Sequence, residues 1–283
     1  MKTQRAALLA WGPIVFALLL LPPAALAQTQ PQTQTQTKDY EPTVGQPGKD
    51  VVWVPTPQAL VEKMLDLAKV TPQDVVMDLG SGDGRNIIAA AKRGARAIGV
   101  EYNPDMVSLS RRTAEKEGVA DKATFIEGDM YEADISKATV MALFLLTENM
   151  EQLLPKFLSL KPGSRIVANT FGFRSWEPDA TESVDEDCMS WCKALLWIVP
   201  AKVDGKWLVP QGELVLQQQY QVLSGTLSID GRPTPIANGR VRGEEITFAI
   251  GDTQYVGRVS GDKIVGTIKS AAAERRWQAS RGD

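Results

Sequence analysis

The chain has 283 residues, 43 % of them hydrophobic, enough for one large domain or two small ones. A formal net charge of −3 argues against a broad phosphate-binding surface, and so against nucleic acid as a partner. The sequence contains no histidine, which excludes Ser-His-Asp and Cys-His catalysis and every zinc site built on imidazole. Acid–base work then falls to carboxylates, tyrosine, lysine or water, and no metal site is expected.

The first 27 residues read as an export signal. Lys2 and Arg5 form a basic start, Ala6 to Leu21 carries no charge, and Ala25-Leu26-Ala27 fits a small-x-small cleavage site. The expected destination is the periplasm. The alternative is an uncleaved anchor in the inner membrane, disfavoured because the apolar run is short and Pro22 and Pro23 break it. The flanking charges favour a cytoplasmic N-terminus with the rest of the chain outside. Removing the segment takes two basic residues and no acids, moving the net charge to −5. Residues 28–49 are rich in Gln, Thr and Pro and nearly free of apolar side chains, so a disordered linker is expected.

A helix is expected from Pro57, with Thr56 as its N-cap and an apolar stripe of Leu60, Met64 and Leu67. Asp74 to Leu79 reads as a buried strand, followed by a glycine loop and a short helix near Asn86 to Lys92. Ala95 to Val100 is a second strand, and Asn103-Pro104 caps a helix running to about Gly118. Ala123 to Ile126 and Thr139 to Leu146 are strands, Met150 to Leu160 a helix, and Ser164 to Asn169 a fifth strand. Strands alternating with helices imply a doubly wound, mainly parallel α/β sheet covered on both faces. From about Ser190 only strand patterns remain, separated by Asp-Gly and Gly-Asp turns, which predict antiparallel hairpins. The expected division is an α/β domain over 50–220 and a small antiparallel β-domain over 221–283. In that tail Trp207, Tyr255 and Trp277 are expected in the core or in cross-strand pairs, a glycan- or lipid-binding face being the sharper alternative. Arg240, Arg242 and Arg258 read as solvent-facing charges or as one basic face.

Cys188 and Cys192 are the only cysteines. On a strand four residues span roughly 13 Å, too far for a disulfide; on a helix they would be near bonding range. The following KALLWIVP suggests a strand, so two unpaired, semi-buried thiols are expected, although an exported protein could pair them.

The densest signal is Val75 to Asp105. Gly80, Gly82 and Gly84 fall directly after an apolar strand and before a helix. In an open parallel sheet ligands sit beyond the carboxyl ends of the strands, where glycine lets backbone approach closely and adopt positive φ. Glu101 ends the next strand, well placed to accept hydrogen bonds from ribose hydroxyls. The third glycine comes one residue earlier than in the dinucleotide fingerprint, and Asp78 and Asp83 add acid before and inside the loop. Such a loop repels pyrophosphate and suits a ligand that carries positive charge.

DLGSGDG at Asp78 to Gly84, VEYNPD at Val100 to Asp105 and EGDMYEAD at Glu127 to Asp134 together resemble the class I S-adenosylmethionine-dependent methyltransferases, over roughly Val51 to Val209. That resemblance implies a Rossmann-like fold with S-adenosyl-L-methionine as cofactor. It implies a site of Asp78, Gly80, Ser81, Gly82 and Gly84 at the methionine part, Glu101 at the ribose, and Tyr102, Asp129 and Met130 at the adenine. VPTP at Val54 to Pro57, DLGSGDGR, and LKPGSRIVANTFGF followed by Trp176-Glu177-Pro178 look like a bacterial group similar to protein-lysine methyltransferases lacking a SET domain. Phe144-Leu145-Leu146-Thr147 stands where many methyltransferases keep an Asn/Asp-Pro-Pro-aromatic motif, so the acceptor is left open between a protein side chain, lysine among them, and a small molecule. Asp83, Asp129 and Glu148 are candidate acids near the cleft, Glu148 reading more readily as a first-turn helix acid; Trp53 and Thr56 are candidates for closing over the cofactor. No catalytic residue is named. The alternative function is an exported binding module that keeps the fold without the transfer.

Overall fold

The computed structural model describes residues 40–210, 212–271 and 273–282. The expected export signal and residues 28–39 of the expected linker lie outside the described residues. Among those described, no helix is long and apolar enough to cross a membrane.

The first half is the expected α/β sheet. Its strands are β1 (Val75–Leu79), β2 (Arg96–Glu101), β3 (Ala123–Glu127), β4 (Val140–Leu143), β5 (Arg165–Asn169), β6 (Ala180–Ser183) and β7 (Lys193–Ile198), in spatial order β3-β2-β1-β4-β5-β7-β6. β1 to β5 run parallel, and the β6–β7 hairpin adds antiparallel strands at one edge. β1 and β4 are almost wholly buried because helices cover both faces, which is why they read as continuous apolar runs. Those helices are α1 (Gln58–Leu67), α2 (Arg85–Lys92), α3 (Pro104–Lys116) and α4 (Thr147–Phe157).

At the end of the sheet away from the glycine loop, Asp74 accepts from the Thr139 hydroxyl (2.7 Å) and the Thr71 amide (2.8 Å) and pairs with Arg165. Burial alone would raise its pKa, but these partners outweigh it and hold the carboxyl below its usual range. One acid thereby ties the entries of three neighbouring strands.

Several expected boundaries move. The helix expected at Pro57 starts at Gln58, with Pro57 at its N-cap. Thr56 does not cap it; it is buried, its hydroxyl 3.5 Å from the Asn169 amide nitrogen and its carbonyl accepting from Arg85 at 2.7 Å. β4 stops at Leu143 rather than Leu146, and α4 begins at Thr147 rather than Met150, because the Asn149 side chain accepts from the Leu146 amide (3.2 Å) and turns the chain early. The Asn103 cap behaves as expected, its oxygen accepting from the Asp105 amide at 2.9 Å.

Cys188 and Cys192 form a disulfide, contrary to the expected free thiols, with Cα atoms 5.8 Å apart. β7 begins only at Lys193, and Asp187 and Trp191, at φ +56° and +58°, fold the hairpin tip back on itself. The strand geometry that would have kept the sulfurs apart is absent there.

Residues 40–49, expected within the disordered linker, form a folded-back loop. Gly45 donates to the Trp53 carbonyl (2.8 Å) and Trp53 donates to that of Gln46 (2.9 Å). Docking Lys49 and Trp53 against the α/β sheet offsets the ordering entropy that the polar composition alone could not.

The second sheet consists of β8 (Gly205–Val209), β9 (Gly212–Gln219), β10 (Val222–Ile229), β11 (Arg232–Pro235), β12 (Ala237–Arg242), β13 (Glu245–Ile250), β14 (Thr253–Ser260), β15 (Lys263–Lys269) and β16 (Glu274–Arg281). Every neighbouring pair is antiparallel. β8 pairs with both β9 and β16, and β9 with β10, so the meander closes into a barrel. β8 and β9 place its start at Gly205, on the N-terminal side of the boundary expected at 221. The interior is filled by Leu214, Leu216, Ile246, Ile264 and their neighbours, with Trp207 fully buried among them. Phe248 and Tyr255, directly paired across β13 and β14, stack at 4.7 Å, and Trp277 meets Tyr255 edge-on at 5.6 Å. All three tail aromatics are therefore core or cross-strand residues. Arg240 faces Asp179 (2.7 Å) and Arg258 faces Glu244 (2.5 Å), so these two arginines are matched by acids rather than joined in a basic face.

Candidate active site

The strand order reverses between β2-β1 and β4-β5, and a crevice at such a switch point opens beyond the carboxyl ends of the strands. A cavity of about 220 Å³ lies there. It is lined by the loops after β1 to β5, by residues 46–56, and by Trp191.

The glycine turn is held by the next strand. Gly80 and Ser81 both donate to the Val100 carbonyl (2.8 and 3.0 Å), and Gly82 donates to Glu101 Oε2 at 2.8 Å. Glu101 Oε1 accepts from the Asn103 amide (2.9 Å), so the carboxylate is oriented by two backbone donors and keeps lone pairs free for a ligand. Two glycines are required for different reasons. Gly82, at φ +54°, slides under Trp53, where a Cβ would lie 2.7 Å from the indole nitrogen. Gly84, at φ +80°, packs behind the turn, where a Cβ would lie 2.6 Å from the Phe125 ring.

Asp78, Gly80, Ser81, Gly82, Glu101, Tyr102, Asp129 and Met130 all line the cavity. Gly84 does not; its place in the motif is met by packing against Phe125 and Ser110. Asp78 is buried, with Oδ2 accepting from the Asn86 amide at 3.0 Å and Oδ1 without a partner. The Ser81 hydroxyl is likewise buried and unpartnered. Burial pushes the Asp78 carboxyl well above its ordinary range, the charges of Glu101 and Asp83 add to the shift, and the Asn86 hydrogen bond opposes it. An orphaned acceptor of this kind fits a cationic donor group, such as the ammonium of an amino-acid moiety, and the glycine turn leaves room for it. The residues present therefore fit S-adenosylmethionine.

At the other end, Asp129 accepts from the Tyr131 amide through Oδ1 (2.8 Å) and from Lys49 Nζ through Oδ2 (2.6 Å). The lysine ammonium also lies 5.4 Å from the Tyr102 ring centre and 5.9 Å from that of Tyr131. Its hydrogen bond holds Asp129 below, and Lys49 above, their usual pKa values. Sequence reasoning missed Lys49, whose Asp129 partner is 80 residues away. Of the other candidate acids, Asp83 lines the cavity but is forked by the Arg85 guanidinium (2.5 and 3.0 Å), while Glu148 faces Arg174 at 2.7 Å outside it. Trp53 and Thr56 both line the cavity as expected.

Beyond β4 and β5 the cavity wall turns aromatic. Phe144 and Phe171 lie nearly parallel with ring centres 6.3 Å apart, and Trp191 is 6.1 Å from Phe144. Phe144 stood out in the sequence as the departure from the usual substrate motif, and Phe171 fell within the LKPGSRIVANTFGF stretch without a role being given to it; Trp191 was not singled out.

The family described as "ANTKMT methyltransferase domain" matches residues 78–180. The chain is 44 % identical over 143 residues to a protein-lysine N-methyltransferase of Saccharolobus islandicus (strain REY15A), covering 50 % of this chain and 89 % of that protein. It is 34 % identical over 122 residues to the adenine nucleotide translocase lysine N-methyltransferase of Mus musculus, covering 42 % of this chain and 53 % of that one, so it spans about half of that relative. A crystal structure described as an RNA methyltransferase from Salinibacter ruber in complex with S-adenosyl-L-homocysteine is 42 % identical, with a TM-score of 0.50, and the match covers 53 % of this chain and 96 % of that one.

Proposed function

We propose that the chain, which belongs to the methyltransferase family of the Saccharolobus islandicus protein-lysine N-methyltransferase, methylates the side-chain amine of a protein lysine. The match over 89 % of the Saccharolobus islandicus enzyme carries this reading. When bound, the donor would supply an electrophilic methyl group on a sulfonium: a lysine ammonium that has lost one proton to water forms the N–C bond as the C–S bond breaks, and S-adenosylhomocysteine leaves as the neutral thioether. The chain's own residues then have to bind, orient and exclude water. Asp78 offers its free oxygen to the ammonium of the donor, Gly80 to Gly82 give its methionine part a close backbone wall, Glu101 receives the ribose hydroxyls, and Tyr102, Asp129 and Met130 flank the adenine. Gly84 acts through packing. The absence of histidine from the sequence is compatible with this chemistry, because the lysine proton can leave to water before the attack and the chain's main task is alignment.

A protein acceptor is preferred over RNA on electrostatic grounds. Asp185, Glu186 and Asp187 are exposed on the hairpin that carries Trp191 to the cavity, and three acids at that place repel a phosphate backbone while attracting a basic peptide. We also read residues 1–27 as an export signal and the enzyme as periplasmic; the Cys188–Cys192 disulfide supports an oxidising compartment.

The test is calorimetric titration of S-adenosylmethionine into residues 28–283 and into a Glu101→Ala variant, followed by transfer of tritiated methyl groups to extracted periplasmic protein and to total RNA. Donor binding should weaken at least about tenfold in the variant, in line with hydrogen bonds to a charged group. Label should appear as methyl-lysine after hydrolysis of the protein fraction. Label confined to RNA would overturn the lysine reading.

A further inference from the structure

We propose that Trp191, carried on the Cys188–Cys192 loop, is an acceptor-positioning residue that completes an aromatic wall with Phe144 and Phe171 for a cationic side chain. This rests on the methyltransferase reading and extends it to residues that the glycine and acid motifs do not include.

Topology places the wall. Glu101 ends β2 and Asp129 follows β3, whereas Phe144 and Phe171 follow β4 and β5, on the other side of β1. With strands about 4.8 Å apart, β3 and β5 are separated by about 19 Å across the sheet. The polar end of the cavity and its aromatic end thus lie on opposite sides of the glycine turn, and the aromatic end is left for the acceptor. Its three rings line the cavity with neighbouring centres 6.1 and 6.3 Å apart. Aromatic rings attract the ammonium form of a lysine as it docks, and they shield the neutral amine once its proton has left to water.

The mouth is also built at some conformational cost. Trp191 has φ +58° and Thr170, directly before Phe171, has φ +56°. A β-branched or bulky residue rarely adopts that region, and such residues persist where the surroundings over-determine them. Here the surroundings are explicit. The Thr170 amide donates to the Lys193 carbonyl (2.8 Å), the Lys193 amide donates to the Thr170 hydroxyl (3.3 Å), and the Cys188–Cys192 disulfide encloses Trp191 in a short loop directly before Lys193. Phe171 and Trp191 are therefore clamped by one reciprocal pair between their neighbours. Trp191 remains 44 % exposed, a large apolar side chain held at the rim rather than in the core. The exposed Asp185, Glu186 and Asp187 on the same loop add attraction for a basic segment.

The probe is Nα-acetyl-lysine methylamide, with Nα-acetyl-norleucine methylamide as its uncharged counterpart, titrated into the full chain saturated with S-adenosylhomocysteine. Binding is read from the Trp191 indole N–H chemical shift in the wild type and by calorimetry in all proteins. The lysine amide should bind and the norleucine amide should not. Trp191→Phe should keep the affinity, while Trp191→Ala and the double variant Cys188→Ser/Cys192→Ser should each weaken it by about two- to fivefold, with S-adenosylhomocysteine affinity unchanged. Equal binding of the two amides, or an unchanged lysine amide affinity in Trp191→Ala, would overturn the inference while leaving the methyltransferase reading intact. Unchanged affinity in the cysteine variant would overturn the role given to the loop. Failure of S-adenosylhomocysteine to bind a folded wild-type protein would overturn both readings together.

Discussion

Asp78 combines burial, a free acceptor oxygen and two acidic neighbours, a costly arrangement in a ligand-free protein. Its folded-state pKa is raised, so the folded chain holds the proton more tightly than the unfolded chain does. The associated stability is greatest below the ordinary carboxylate range and is lost as pH rises from about 4 through the raised value. Asp78→Asn removes the titration and keeps a hydrogen-bonding oxygen for Asn86. Scanning calorimetry from acid to neutral pH should show a higher and flatter Tm for the variant, while donor affinity falls at least about tenfold because an ion-assisted hydrogen bond is lost. A variant that melts lower at neutral pH and still binds donor normally would show that Asp78 is structural. Asp78, the glycines and Glu101 were legible in the sequence because they act through local geometry: a strand end, a turn with positive φ, the end of the next strand. The pairing of Asp83 with Arg85, which takes one candidate acid out of play, needed coordinates because only side-chain direction decides it.

At the scale of elements, the segment before α1 departs most from its composition. A polar, Pro-rich stretch became a strap because two of its side chains find partners across the cleft, Trp53 over Gly82 and Lys49 on Asp129. Neither partner is near in sequence, so periodicity and composition could not announce the contact. β7 was expected from KALLWIVP, but its partner β6 was hidden: β6 is short and mostly exposed, and the tip that joins the two is shaped by positive-φ residues rather than by a turn dipeptide. The strap has a consequence for binding. Lys49 engages Asp129, Tyr102 and Tyr131, and the first two are among the groups proposed for the adenine. Admitting the donor then requires the ammonium to let go. The ion pair is exposed to solvent and screened by it, so it is a weak competitor. Lys49→Ala should tighten S-adenosylmethionine binding by up to about fivefold and lessen its dependence on salt. A weaker affinity in the variant would mean that the lysine holds the donor instead of competing with it.

Across the whole molecule, the sequence announced two architectures and the order in which they come, because hydrophobic period and helix caps change near Ser190. It could not announce closure of the barrel, which depends on β16 meeting β8 at Leu208 and Ser280, nor how the barrel meets the α/β sheet. That junction is built around Trp176. Its ring is fully buried, 5.2 Å from Phe173 and 6.4 Å from Trp197 on the α/β side, and stacked at 5.5 Å on Tyr220 in the turn between β9 and β10. Polar contacts surround it. Gln221 donates to the Glu177 carbonyl (2.7 Å), Ala201 to that of Gly243 (2.7 Å), and Arg240 covers Asp179, whose other oxygen accepts from the Ile198 amide (2.8 Å). Truncating a buried tryptophan costs about 3–5 kcal/mol, a large share of the 5–15 kcal/mol that holds an ordinary domain together. If Trp176 couples the halves, the wild type should melt in one calorimetric transition that S-adenosylhomocysteine raises as a whole. Trp176→Ala should then show two transitions, of which the ligand raises only the one belonging to the α/β sheet. A single transition, lower but still raised as a whole, would place Trp176 in a core common to both halves. The barrel would then belong to the folding unit that carries the cleft, and could not be removed without losing it.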